Sequence, residues 1–263
     1  MKNLLIKNIT LIIFLIIPLV TKTQDYCKFI HQIQNYQNSV KLKNSGDFDI
    51  IDPNTFDFNT YLSFYNEIEV ENDIQIGVYY FDNFLDGKPY LYALRKNQKL
   101  NEDDKNFLYD FLNKTENRAR NHIVPTDSYC GFLQYLFFSE LGEQFALKWH
   151  ANYKQKYIIC SHQEISVIVN EFKEYIEEDN NNDDEEKVLP LFSVDLDELN
   201  MFAQINPIIK VELKDEYCTI TWIENRTHSG IYSVKYIIQR QQPYGIEKVS
   251  EELLLKILMG FIY

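Results

Sequence analysis

The sequence predicts a mixed α+β fold that ends in an antiparallel β-meander. Three observations point there. Apolar and polar residues alternate through a hairpin at residues 73–94. A helical stripe with its own cap occupies residues 161–176. Beyond the acidic run EEDNNNDDEE, β-rich segments follow one another through short polar turns.

Residues 1–23 read as a signal peptide. Lys2 and Lys7 form a basic start, Leu11 to Val20 (LIIFLIIPLV) an apolar run, and Thr21-Lys22-Thr23 a return to polarity. The run is far below the length of about 20 residues that a bilayer span needs. Pro18 breaks its helix near the end. Thr21 and Thr23 put small residues where a signal peptidase reads, which places the cut before Gln24. Gln24, Asp25 and Tyr26 precede Cys27 where lipoprotein processing needs small residues, which argues against a lipid anchor. The expected product is therefore exported, periplasmic or extracellular, with no stable membrane insertion. Residues 1–23 hold three lysines and no acid, so the remainder carries 23 basic and 39 acidic groups, a balance of −16. Such a surface repels phosphate backbones, so nucleic acid is not expected as a partner.

Phe29, Ile30, Ile33 and Tyr36 lie near helical spacing over 27–39, and 61–68 reads as a short helix or turn. In DIQIGVYYF (73–81), Ile74, Ile76, Val78 and Tyr80 share one face of a strand. Asp86-Gly87 makes the turn, and Pro89 to Leu94 is the partner strand. Asn101 caps the next helix, whose acidic first turn (Glu102, Asp103, Asp104) suits the positive end of the dipole. Its buried stripe is Phe107, Leu108, Phe111 and Leu112. A short strand is expected at 121–125, then an apolar helix over 127–141 ended by Gly142 in the left-handed region. Glu143 to His150 and Lys156 to Cys160 read as two strands joined around Asn152-Tyr153.

Ser161-His162-Gln163-Glu164 is a capping box, followed by the stripe Ile165, Ile168, Val169, Phe172, Tyr175 and Ile176. The organisation is then an α+β region over 24–176, an acidic linker or loop over 177–189, and an antiparallel β-rich region over 190–263. The acidic run lacks the ligand ladder of a calcium loop. Strands are expected at 208–213, 217–223 and 231–239, with a fourth at 246–257.

Four cysteines survive cleavage: Cys27, Cys130, Cys160 and Cys218. In an oxidising compartment they are disulfide candidates with three pairings open, and buried thiols are the alternative. Their wide spacing is not a zinc pattern, although Cys160-x-His162 has chelating residues in the right order. No glycine-rich phosphate loop or nucleophile elbow is present, and no cofactor is implied.

Asp127-Ser128-Tyr129-Cys130-Gly131-Phe132-Leu133-Gln134-Tyr135 resembles the nucleophile helix of papain-like bacterial cell-wall peptidases. The resemblance implies Cys130 as nucleophile, its thiolate favoured by the helix dipole, with His150 or His228 as base. The stretch departs from that pattern. It has no serine between Cys130 and Gly131, Cys130 falls about a turn inside the expected helix, and neither histidine has the usual spacing.

A broader likeness runs through Pro89-Tyr90-Leu91-Tyr92-Ala93, the string Gln144 to Tyr153 (QFALKWHANY), and Gly230-Ile231-Tyr232 with Tyr236. These resemble a family of secreted Bacteroides-type bacterial proteins of unknown function. The resemblance implies an exported α+β protein of a Gram-negative bacterium, with no cysteine kept at the place of Cys130. Within the string, Trp149, His150, Asn152 and Tyr153 form a candidate ligand patch at a strand end, and a structural hairpin is the alternative. The expected role is a non-catalytic binding or interaction protein for a protein, peptide or glycan. The alternative is a thiol hydrolase acting on cell-wall or peptide substrates.

Overall fold

The structure is a computed structural model that describes residues 26–46, 48–83, 85–101, 105–181, 192–227 and 229–259. The signal-peptide reading, the acidic turn after Asn101, the second half of the acidic run and His228 fall outside the described residues.

The described residues open with α1 over 26–39, which buries Ile30 and Ile33 completely. A small hairpin follows, β1 (Leu42–Ser45) with β2 (Phe48–Ile51), then α2 (Phe58–Ser63), capped by the Asp57 carboxylate on the amides of Asn59 and Thr60. Next come β3 (Ile68–Val70), β4 (Ile74–Phe81) and β5 (Lys88–Arg95). The expected hairpin is β4–β5, in register from Ile74 against Arg95 to Phe81 against Lys88. Helix α3 (Lys105–Asn113) buries Leu108 and Leu112, but Phe107 is exposed and stacks on Phe111 instead of entering the core. β6 (Ile123–Pro125) pairs with β3.

α4 (Tyr129–Leu141) begins two residues later than the apolar pattern implies, because the Ser128 hydroxyl accepts from the Gly131 amide and makes Ser128 the cap. Gly142 ends it at φ −64°, in the right-handed region and not the left-handed one expected. The strand expected over 143–150 does not form. Ala146 turns the chain at φ 51°, and Trp149–Asn152 coils into one turn of helix, α5. The backbone there is satisfied from outside any ladder: the Lys148 and His150 amides donate to the Gly87 and Leu85 carbonyls, both at 2.8 Å.

β7 (Lys156–Ile159) leads into α6 (His162–Asn181). The capping box is as read: the Glu164 amide donates to the Ser161 hydroxyl at 3.2 Å, and the Ser161 amide donates to the Glu164 carboxylate at 2.9 Å. The first five residues of the acidic run continue α6 as helix. Beyond it stand β8 (Phe192–Ser193) and an unforeseen helix, α7 (Leu196–Phe202), capped by Asp195. β9 (Lys210–Leu213), β10 (Tyr217–Arg226), β11 (Gly230–Gln239) and β12 (Ile246–Leu255) form the antiparallel meander, and β13 (Leu258–Met259) pairs with β8.

β10 and β11 are the centre of this sheet, paired without a break from Tyr217–Gln239 to Arg226–Gly230. The outer edge of β10 is shared, with β9 on its first half and β7 on its second. Alternation then sorts side chains to two faces. Cys218, Ile220 and Trp222 join α1 and α4 in the larger core, while Ile223 joins Ile165 and Val169 of α6 with Leu199 and Phe202 of α7. Segments from both sides of the acidic run therefore share one sheet and both cores. Among the described residues, no helix is long and apolar enough to cross a membrane.

Candidate functional site

The residues singled out from the sequence scatter into several places. Cys130 is the second residue of α4, partly buried, and lines a hollow of about 280 Å³ with Phe29, Glu67 and Gln134. No histidine is among that hollow's described lining residues. Gly131 is required beside it, since a Cβ there would meet the Thr126 carbonyl oxygen. The Asp127 carboxylate is held by the Arg240 guanidinium at 2.6 and 2.9 Å, which lowers its pKa and ties it to the end of β11. Cys218 is fully buried, and burial pushes its thiol up to about 12, so it is inert packing. Cys27 and Cys160 are joined as a disulfide with Cα atoms 5.6 Å apart.

The patch at 149–153 is brought together, but by a different element from the one expected. On a strand, Trp149 and His150 would face opposite ways; on the single turn of α5 they share a surface with Tyr153. The Trp149 ring lies 5.3 Å from His150 and 5.7 Å from Tyr153, and the last two are stacked at 6.1 Å. Trp149 is 60% exposed although it is the largest side chain available to a core, and His150 and Asn152 are exposed as well. Ala151 is the residue of this turn that packs inward.

The residue before this patch connects it to a cleft. The Lys148 ammonium bridges two carboxylates from separate hairpins, Asp49 on β2 at 3.0 Å and Asp82 just after β4. Its hydrogen bond to Asp82 comes first in raising its pKa, despite some desolvation. Burial works to raise Asp82, but the bonds from Lys148 and the Asp49 amide outweigh it and the net shift is downward. Lys148 and Asp82 therefore each hold the other's charge in place. Gly87 permits the arrangement, since a Cβ there would come within 2.7 Å of both the Lys148 stem and the Tyr80 hydroxyl. That hydroxyl is buried without a hydrogen-bond partner, and burial, with help from the charges of Asp82 and Asp49, raises its pKa.

The cleft lies between the β1–β2 and β4–β5 hairpins and holds about 800 Å³. Phe48, Ile50, Phe56, Val78 and Phe81 line it, Tyr80 also borders it, and Asp82 is the one charged group among its described lining residues. Phe48 stands 53% exposed at its mouth. The sequence marks Val78, Tyr80 and Leu108 only as core-facing positions, and no local signal marks the cleft as a site, because Asp49, Asp82 and Lys148 come from three distant segments. Chemically the arrangement can enclose an apolar or aromatic group and hold polar groups at Asp82, which Lys148 ties to the start of α5.

No known protein family, no curated protein and no solved structure matches this chain.

Proposed function

We propose that the chain is an exported, non-catalytic binding protein, and that its glycan or peptide ligand occupies the cleft between the two hairpins and stacks on the α5 rings. One observation carries this reading: an aromatic-lined cleft of about 800 Å³ whose charged residue, Asp82, is paired with Lys148, the residue before the exposed Trp149. Aromatic faces receive sugar rings and apolar side chains while their polar edges stay wetted. Lys148 is engaged by both Asp49 and Asp82, so the three supply orientation and not a reactive group.

Trp149 makes the test direct. Trp222, the other tryptophan, is 1% exposed, so a ligand at α5 changes the emission of Trp149 and leaves the buried ring unmoved. Titration with soluble cell-wall glycan fragments and with a mixed peptide pool should give a saturable emission change, and calorimetry with the same ligands should show binding that Trp149→Ala abolishes and Lys148→Met weakens. Unaltered binding by both variants would remove the cleft and patch from the reading. A thiol hydrolase is the second reading, favoured by the place of Cys130 in the first turn of α4. Fast, single-site alkylation of Cys130 at neutral pH, with loss of a peptidase activity, would replace the binding role with it.

A further inference from the structure

The end of α1 that bears the disulfide has a second feature. Cys27 and His31 stand one helical turn apart on α1, and Cys160 and Glu164 are also four residues apart where β7 meets α6. Each segment thus carries a sulfur and, one turn on, a second donor, and the bond between the two sulfurs brings Cys27 to the cluster of the other three. His31 Nε2 lies 2.9 Å from Glu164 Oε1 and 3.6 Å from Cys160 Sγ. The donor atoms of His31, Cys160 and Glu164 all fall within 4.8 Å of one another. His162, the histidine adjacent in sequence, is exposed on α6 and takes no part.

Glu164 divides its two oxygens between tasks. Oε2 accepts from the amides of Cys160 and Ser161 and from the Ser161 hydroxyl, at 2.8–3.0 Å. That oxygen is the helix cap. Oε1 has His31 as its neighbour and no share in the cap. The carboxylate is therefore oriented by the backbone, as an outer shell orients a metal ligand, with one oxygen left for an incoming group.

We propose that reduction of the Cys27–Cys160 disulfide converts this cluster into a four-ligand site for a zinc-class divalent cation, bound by both thiolates, His31 Nε2 and Glu164 Oε1. A dithiol of the surroundings supplies the two electrons and two protons that break the S–S bond, leaving two thiols and its own cyclic disulfide. The cation then displaces the two thiol protons to solvent, and the proton that His31 Nε2 donates to Glu164 is exchanged through solvent for one on Nδ1, which frees Nε2 and Oε1 together. Two sulfurs, one imidazole and one carboxylate oxygen suit tetrahedral zinc, and four protein ligands with no open position mark a structural site. The covalent link between α1 and the start of α6 would be exchanged for a coordinate one at the same place. This assignment is independent of the cleft.

The test uses Co²⁺ as probe on purified protein carrying Cys130→Ser, which removes the accessible competing thiol. After anaerobic reduction and removal of the reductant, one equivalent of Co²⁺ should give the intense visible bands of tetrahedral thiolate coordination, and Zn²⁺ should bleach them. The oxidised protein should show neither. His31→Ala should weaken binding at least tenfold, the loss that even outer partners of a metal cause. Equal Co²⁺ uptake by oxidised and reduced protein, or an unchanged affinity and spectrum in His31→Ala, would overturn the proposal. So would a reduced protein that loses its circular dichroism and does not regain it with Zn²⁺; recovery with Zn²⁺ would support it.

Discussion

The described residues before β7 and the sheet that follows are held together by different means. The earlier part has three two-stranded ladders, β1–β2, β3–β6 and β4–β5, and isolated pairs of this size are marginal in water. Rings do the work there instead. Phe56 stacks on Phe145 at 4.7 Å, Tyr61 meets Tyr36, Tyr65 and Phe145, and the buried Tyr61 hydroxyl ties α2 to Gln37 and to the Gly142 carbonyl. The later part is a five-stranded sheet with ten paired positions between β10 and β11 alone. It even buries an ion network: Glu224 is fully buried, bonded by Trp222 Nε1 at 3.2 Å and Arg226 Nε at 2.6 Å, and Arg226 also forks onto Glu251. The contrast teaches where a ligand cleft is affordable. Hairpins joined through side chains can stand apart and leave a gap between them; strands joined through backbone cannot.

The two parts can be separated most strongly at the disulfide, which closes a sequence separation of 133 residues between them. By the chain-entropy argument, Cys27→Ser with Cys160→Ser should cost about 5 kcal/mol, read as a lowered urea midpoint with little change in the helical signal of the folded form. Next in size is the ion network of the sheet. Arg226→Met leaves Glu224 buried with Lys156 at 3.9 Å as its remaining cation and should cost about 3 kcal/mol at neutral pH. Its pH dependence has a definite sign. Hydrogen bonds from Arg226 and then Lys248 lower Glu251 from its ordinary 4.5 to about 2. A depressed carboxylate adds stability above 4.5 and loses it as pH falls toward 2, so that component of the gap between variant and wild type should close over this window in thermal melts. The smallest effect belongs to the earlier part. Ala146 holds a left-handed conformation, so Ala146→Gly should gain up to about 1 kcal/mol and raise the melting temperature by a few degrees.

Elements whose signals are local were legible in the sequence. The capping box at Ser161 and Glu164 needs four residues to declare itself, and the period-two runs of β4, β5, β10 and β11 declare a buried face within one segment. Helix α7 had a local signal that went unread, an Asp195 cap with Asp197 and Glu198 in its first turn and Leu199 and Phe202 on its buried side. The segment at 143–150 was misread for another reason. Its apolar alternation fits a strand, but the amides of Lys148 and His150 find partners in the β4–β5 loop, and tertiary contact overrides the pattern. Trp149, His150 and Tyr153 do meet, on a turn of helix and not at the expected strand end. The cleft and the His31–Glu164 pairing were invisible because each depends on residues brought together from distant segments.

The shared edge of β10 also sets an order of assembly. Ile159 of β7 pairs with Ile223, and α6 rests its apolar stripe on strands that include β10, so neither finds its seat until the last quarter of the chain has been synthesised. An incomplete polypeptide would present β7 as a bare, adhesive margin. Late closure of this kind leaves a polypeptide cut before β10 unable to seat β7 and α6, although both segments are present in it.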